Sequence, residues 1–310
     1  MLDVILLYAL FASVFTVSKI ALSYAAPLFL VGSRMLVAGL LLSFYGAVRS
    51  GIFFPKSKKI WGGLFKVALF NIYLTNVFEF WGLQTLPSFK VCFLYSLSPF
   101  LSAFFCYFLF GDQLNRRKWL GLVVGFLGFA PIFLWQSVGS GRSLDWCTFS
   151  LADGALCMGI VCSVYGWIGL MELVKEQGVS PLIANGWSMW IGGTVALFHS
   201  WLAESWNPIP VLTSGQGVVL ECTLFLILVS NCICYNLYGH LLKKYSPTFL
   251  SFAGLMTPVF CALYGMLFLQ ETITWPFYCS FPMVLAGLYI FNREELKKGV
   301  YLSPVVLQPV

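Results

Sequence analysis

Charge is what this chain has least of. Only 10% of its 310 residues are Asp, Glu, Lys or Arg, against 59% that are hydrophobic, whereas soluble domains are about one quarter charged and about half apolar. That shortage excludes a water-soluble globular domain, because the polar surface needed to cover a core is missing. Histidine is scarcer still, with His199 and His240 alone, and no paired carboxylates fall inside an apolar run. A membrane-embedded enzyme needs convergent acid, base or metal-binding groups, so neither catalysis nor a metal or cofactor is expected. A basic leader is missing too. The first apolar run has no positive segment before it and is longer than the apolar core of a cleaved signal, so it reads as a span. Cysteine is plentiful, yet Cys92, Cys106, Cys157, Cys162, Cys232, Cys234, Cys261 and Cys279 lie within apolar runs, where a thiol serves as a small apolar filler. The spacing Cys232-x-Cys234 matches no metal signature.

What is present is a series of apolar runs. A spanning helix needs about 20 mainly apolar residues, and ten such runs are predicted at about 2–22, 29–48, 61–83, 88–110, 118–136, 149–171, 185–203, 216–241, 247–269 and 274–291. The fold class expected is an all-α membrane protein with ten transmembrane helices. The connections are too short for a separate soluble domain. Thirteen of the 18 lysines and arginines, from Arg49 through Lys243 to Lys298, fall on one side of that pattern, and only Lys19, Lys90 and Arg142 on the other. Positive residues gather on the cytoplasmic side, which predicts both termini inside, in a bacterial inner membrane. The net charge of +6 therefore describes topology and not nucleic-acid binding. The partners expected are a small-molecule substrate and membrane lipids, for a monomer or weak dimer.

One stretch occurs twice. Leu97-Ser98-Pro99-Phe100 runs on to Gly111-Asp112, and Met256-Thr257-Pro258-Val259 to Gln270-Glu271; in each the acid follows the proline by thirteen positions and a glycine, Gly128 or Gly287, follows the acid by sixteen. Ala26-Pro27 with Gly32-x-x-Met35 is likewise echoed by Ser180-Pro181 with Gly186-x-x-Met189. The domains expected are a first five-helix repeat at 1–136, an outer linker at 137–148, a second repeat at 149–292 and a cytoplasmic tail at 293–310. An odd number of spans per copy turns the second copy upside down, and an inverted repeat places a site between the halves near mid-membrane.

Those two proline-to-acid units with their later glycines, Arg34 after Pro27, and Gly82-Leu83-Gln84 closing the third span resemble the EamA-type branch of the drug/metabolite transporter superfamily. The resemblance covers about 2–291 and implies a carrier that alternates between inward-facing and outward-facing states, with substrate held among spans 1, 3, 4, 6, 8 and 9. The second copy has Ser188 at the place of Arg34 and Tyr238 at that of Glu79, which implies an asymmetric site. Within the family, one membrane carboxylate among abundant Phe, Trp and Cys is most similar to the S-adenosylmethionine carriers of obligate intracellular bacteria such as chlamydiae.

Among candidate ligand contacts, Glu79 stands first. A charge in the bilayer costs several kcal/mol unless it faces a cavity or a partner, and Phe78, Phe80 and Trp81 flank it. A carboxylate among rings holds a cation, with cation–π attraction added; the alternative is an ion pair with Arg34 or Lys19. Arg34 either clamps an anionic group with its planar fork or fastens its helix. Lys19 either touches the ligand or snorkels to the outer interface. Asn76, Asn231, Tyr235 and Asn236 offer polar groups that contact ligand or bridge helices. Ser98 and Thr257 either take up carbonyls freed by the prolines or bind substrate. Pro99 and Pro258 are the expected bending points of gating helices, while Asp112 and Glu271 are expected to cap the helices that follow them. Trp61, Trp119, Trp146, Trp201 and Trp206 are expected at the membrane interfaces. The expected function is S-adenosylmethionine uptake in exchange for S-adenosylhomocysteine. The alternative is export of amino acids, aromatic ones included, by a carrier of the same family.

Overall fold

The computed structural model describes residues 2–50, 57–110, 115–139, 150–245, 250, 253–254, 256–271 and 275–297. They form α1 (Leu2–Leu22), α2 (Pro27–Ser50), α3 (Lys58–Val67), α4 (Thr75–Thr85), α5 (Ser88–Leu94), α6 (Ser98–Phe110), α7 (Arg116–Gly139), α8 (Leu151–Met171), α9 (Pro181–Ala203), α10 (Gln216–Phe225), α11 (Tyr235–Leu241), α12 (Met256–Phe268) and α13 (Trp275–Lys297). Two π-helical segments, Ala68–Leu74 and Leu226–Cys234, join α3 to α4 and α10 to α11 without interruption. The described residues are helical over most of their length. Among the described residues, six helices are long and apolar enough to cross a membrane: Leu2–Leu22, Pro27–Val48, Lys58–Thr85, Lys90–Leu109, Leu151–Glu176 and Thr213–Leu241. Asp112, Arg142 and Trp146 lie outside the described residues, as does the whole of the expected linker but for its first three positions.

Polarity is distributed in reverse of a soluble protein. Leu40, Leu41, Phe44 and Val48 on α2, Leu120, Phe126 and Leu127 on α7, and Phe198, Trp201 and Leu202 on α9 are exposed, while Arg34, Asn76, Glu79, Asn185 and Asn231 are buried. A soluble monomer does not expose apolar faces on that scale; lipid is the solvent that fits them. Trp119 and Trp201 are exposed, whereas Trp61 packs on the buried Trp187 with ring centroids 5.2 Å apart.

Two helix pairs approach through glycine. A methyl group on Gly121 of α7 would lie 2.7 Å from the Gly287 carbonyl oxygen of α13, and one on Gly39 of α2 would lie 2.9 Å from the Gly186 carbonyl of α9. Only glycine lets backbones meet so closely, the small-residue mode of packing in lipid.

Breaks are placed by proline. Pro99 is the second residue of α6 and has no N–H for the Tyr95 carbonyl, so the chain takes a 3-10 turn over Tyr95–Leu97 and the Ser98 hydroxyl donates to that carbonyl at 2.6 Å. Two residues past the end of α12 the chain turns at Gln270, whose φ of 53° is left-handed, with the Glu271 N–H donating to the Gly265 carbonyl at 3.1 Å. The Glu271 carboxylate accepts from the Ser88 N–H (2.9 Å) and hydroxyl (2.7 Å) and pairs with Lys19 (3.2 Å). Glu271, expected to cap the helix after it, is seen to cap α5, a start of helix brought near only by folding; residues 272–274, where the expected cap would act, lie outside the described residues.

Candidate functional site

Where polar residues interrupt apolar helices, a cavity of about 150 Å³ opens inside the bundle. α1 contributes Tyr8, Phe11, Val14 and Phe15, α2 contributes Arg34, and α4 contributes Thr75, Asn76 and Glu79. The broken α5–α6 unit adds Tyr95, Ser98 and Ser102. From the second half come Ser163, Val164, Trp167 and Ile168 of α8, then Ser230, Tyr235, Tyr238, Gly254 and Thr257.

The first π-helical segment builds the polar end. A π turn leaves carbonyls without their usual N–H partners, and Asn76 takes them up: its Nδ2 donates to the carbonyls of Asn71 (3.3 Å) and Ile72 (2.8 Å). That fixes its Oδ1, which accepts from the Arg34 guanidinium. Arg34 is 2% exposed, lies 4.6 Å from the centre of the Phe80 ring, and keeps Nε and Nη1 without a hydrogen-bond partner. Glu79, one turn beyond Asn76, accepts from the Tyr95 hydroxyl at 2.6 Å. Arg34 and Glu79 interact electrostatically but form no ion pair within 4 Å among the described residues.

Other expected site residues lie elsewhere. Lys19 is tied to Glu271 and donates to the Leu86 carbonyl, so it neither snorkels freely nor lines the cavity. Asn231 points its amide at the sulfurs of Met35 (2.8 Å) and Met189 (3.7 Å). Asn236 repeats the work of Asn76, donating to the Asn231 (3.4 Å) and Cys232 (2.9 Å) carbonyls and accepting from Asn185 (3.2 Å). Both asparagines sit behind the cavity wall. Pro258 follows Thr257 at the start of α12, and Thr257 lines the cavity as Ser98 does.

Sequence reading did not single out Tyr95, Trp167, Tyr8 or Tyr238. With 18% of the chain aromatic, no ring stands out by type. It also did not single out Asp153, which is fully buried, completes a capping box with Ser150 and pairs with Lys90 at 2.6 Å. The Ser150-x-x-Asp153 spacing was the signal that could have found it.

The EamA-like transporter family model matches residues 1–134 and again 150–293. The S-adenosylmethionine/S-adenosylhomocysteine transporter of Chlamydia muridarum (strain MoPn / Nigg) is 33% identical over 298 residues, covering 95% of this chain and 92% of that protein. The transporter of the same name in Chlamydia trachomatis serovar L2 is also 33% identical, over 95% of this chain and 89% of its own. An uncharacterized transporter of Synechocystis is 26% identical over 94% of this chain and 89% of its own. In shape, a crystal structure with 15% identity superposes with a TM-score of 0.64 over 96% of each chain. By the family model and the one-third identity of full-length relatives, the chain belongs to the EamA-like transporter family, and it is a membrane transporter rather than an enzyme.

Proposed function

We propose that the protein takes up S-adenosylmethionine in exchange for S-adenosylhomocysteine across a bacterial inner membrane, by alternating access. The observation that carries this reading is a cavity holding an unspent cation and an unspent anion. Arg34 has two nitrogens, Nε and Nη1, without hydrogen-bond partners, and Glu79 is held by Tyr95 and not by Arg34. A buried arginine left unpaired is costly, and a zwitterion relieves both charges at once: carboxylate to Arg34, ammonium or sulfonium to Glu79. The names of the chlamydial relatives specify such a zwitterion.

The ten-helix inverted repeat is the architecture that serves this exchange. α2 packs against α9 and α7 against α13, each with its counterpart in the other half. α1 meets α12 as α8 meets α6, and the Ala68–Leu74 segment meets α8 as the Leu226–Cys234 segment meets α1, contacts that correspond when the halves are exchanged. The asparagine pairs recur as well, Asn71 and Asn76 standing 160 residues before Asn231 and Asn236, one position more than the 159 between Pro99 and Pro258. The asparagine register puts Gly239, one residue beyond Tyr238, opposite Glu79. Ser98-Pro99 and Thr257-Pro258 then break corresponding helices beside the cavity, where bending opens one side or the other.

The test is counterflow in liposomes. Vesicles loaded with unlabelled S-adenosylhomocysteine should accumulate labelled S-adenosylmethionine, and Glu79→Gln should raise the concentration needed for half-maximal counterflow tenfold or more. Absence of counterflow with the native protein, or normal counterflow with Glu79→Gln, would overturn the reading. Strong competition by phenylalanine or tryptophan, with none by S-adenosylmethionine, would favour an amino-acid exporter.

A further inference from the structure

Charge is distributed unequally between the two halves of the cavity. Among the described residues, every charged or amide group lining it belongs to the first half: Arg34 on α2, Asn76 and Glu79 on α4. The second half faces these groups with the rings of Trp167, Tyr235 and Tyr238 and with hydroxyls, while α1 and Tyr95 add rings from the first half. Trp167 of α8 lies with its ring centroid 4.2 Å from that of Tyr238 and 5.2 Å from that of Tyr235, tilted by 38° and 39°. Phe11 of α1 stands edge-on to Tyr235 at 6.4 Å. Tyr235 is also within electrostatic reach of Arg34, so the ring wall adjoins the charged end.

We propose that Trp167 and Tyr238 are the subsite for the planar heteroaromatic ring of the substrate, and that only a ligand with both a zwitterionic head and a ring joins the two halves and is exchanged. This rests on the zwitterion reading above. A flat base stacks on indole and phenol faces without needing a hydrogen-bond code, and the indole adds cation–π attraction for a sulfonium nearby. A ligand shifts a conformational equilibrium only through unequal contact with the two states. A head-only amino acid touches one half and gains nothing from the approach of the other; a ring-bearing one is gripped by both.

The experiment measures adenosine binding to the purified protein in detergent by calorimetry, alongside counterflow of labelled S-adenosylmethionine competed by adenosine or by methionine. Native protein should bind adenosine. Trp167→Leu and Tyr238→Leu should each weaken adenosine binding about tenfold, the size of a lost stacking contact, while methionine competes as before. Trp167→Phe should restore adenosine binding to within about threefold. Methionine should block counterflow without being exchanged itself. Unchanged adenosine affinity in both leucine variants, no adenosine binding by native protein, or exchange of methionine as fast as that of S-adenosylmethionine would overturn the proposal. Native protein that binds adenosine yet carries no S-adenosylmethionine would sink the preceding reading and leave the ring subsite standing.

Discussion

Arg34 and Glu79 share one cavity without neutralising each other because each has a first claim elsewhere. Asn76, held by the π-turn carbonyls, engages one edge of the guanidinium, and Tyr95 engages one oxygen of the carboxylate. Truncating one partner of a buried charge contact costs about 2–5 kcal/mol, and each 1.4 kcal/mol is about tenfold. Glu79→Gln is therefore expected to weaken S-adenosylmethionine exchange by tenfold or more, read as the concentration giving half-maximal counterflow. Arg34→Lys keeps the charge but loses the planar fork; exchange should fall by a similar factor while circular dichroism stays unchanged. Tyr95→Phe should cost less, a few-fold, since Glu79 keeps its charge. Arg34, Asn76 and Glu79 were legible in the sequence because a polar residue inside an apolar run has few structural reasons to be there. Trp167, Tyr238 and Tyr95 were not, since in a chain facing lipid an aromatic residue is as much at home outside as inside.

At the scale of the element, one end of the bundle is held by a carboxylate from one half that caps a helix of the other. Removing Glu271 leaves Lys19 without its ion pair and the start of α5 without acceptors for the Ser88 N–H and hydroxyl. Glu271→Ala is expected to destabilise the protein by about 1–3 kcal/mol, seen as a lower melting temperature in detergent. The glycine contacts give a sharper contrast. Gly287→Leu forces apart α7 and α13 and should abolish monodisperse elution, whereas Gly62, where an added Cβ meets nothing within 4 Å, should accept alanine with unchanged or slightly higher stability. The proline breaks were visible in the sequence as hydroxyl-proline pairs. The π-helical segments were not: Asn71 and Asn76 are five apart, a spacing that shares a face only after one residue is added to the turn.

For the whole molecule, the proposed frame is two five-helix units related by a half-turn about an axis in the membrane plane, with both termini cytoplasmic. Fluorescent-protein fusions at either end should then be bright and periplasmic alkaline-phosphatase fusions inactive; an active phosphatase at either end would reverse the topology. The sequence by itself determined that the chain is helical, lives in lipid and repeats its proline-to-acid unit, because apolar length, scarce charge and internal self-similarity are properties of the chain read in order. Only the tertiary structure decided which charges are spent and which are left over. Lys19 finds Glu271, Lys66 finds Glu172 at 3.0 Å and Lys90 finds Asp153, while Arg34 and Glu79 remain facing the cavity. The physical reason is that pairing is settled by distances of a few ångströms between residues up to some 250 positions apart, and only the packing of helices sets those distances.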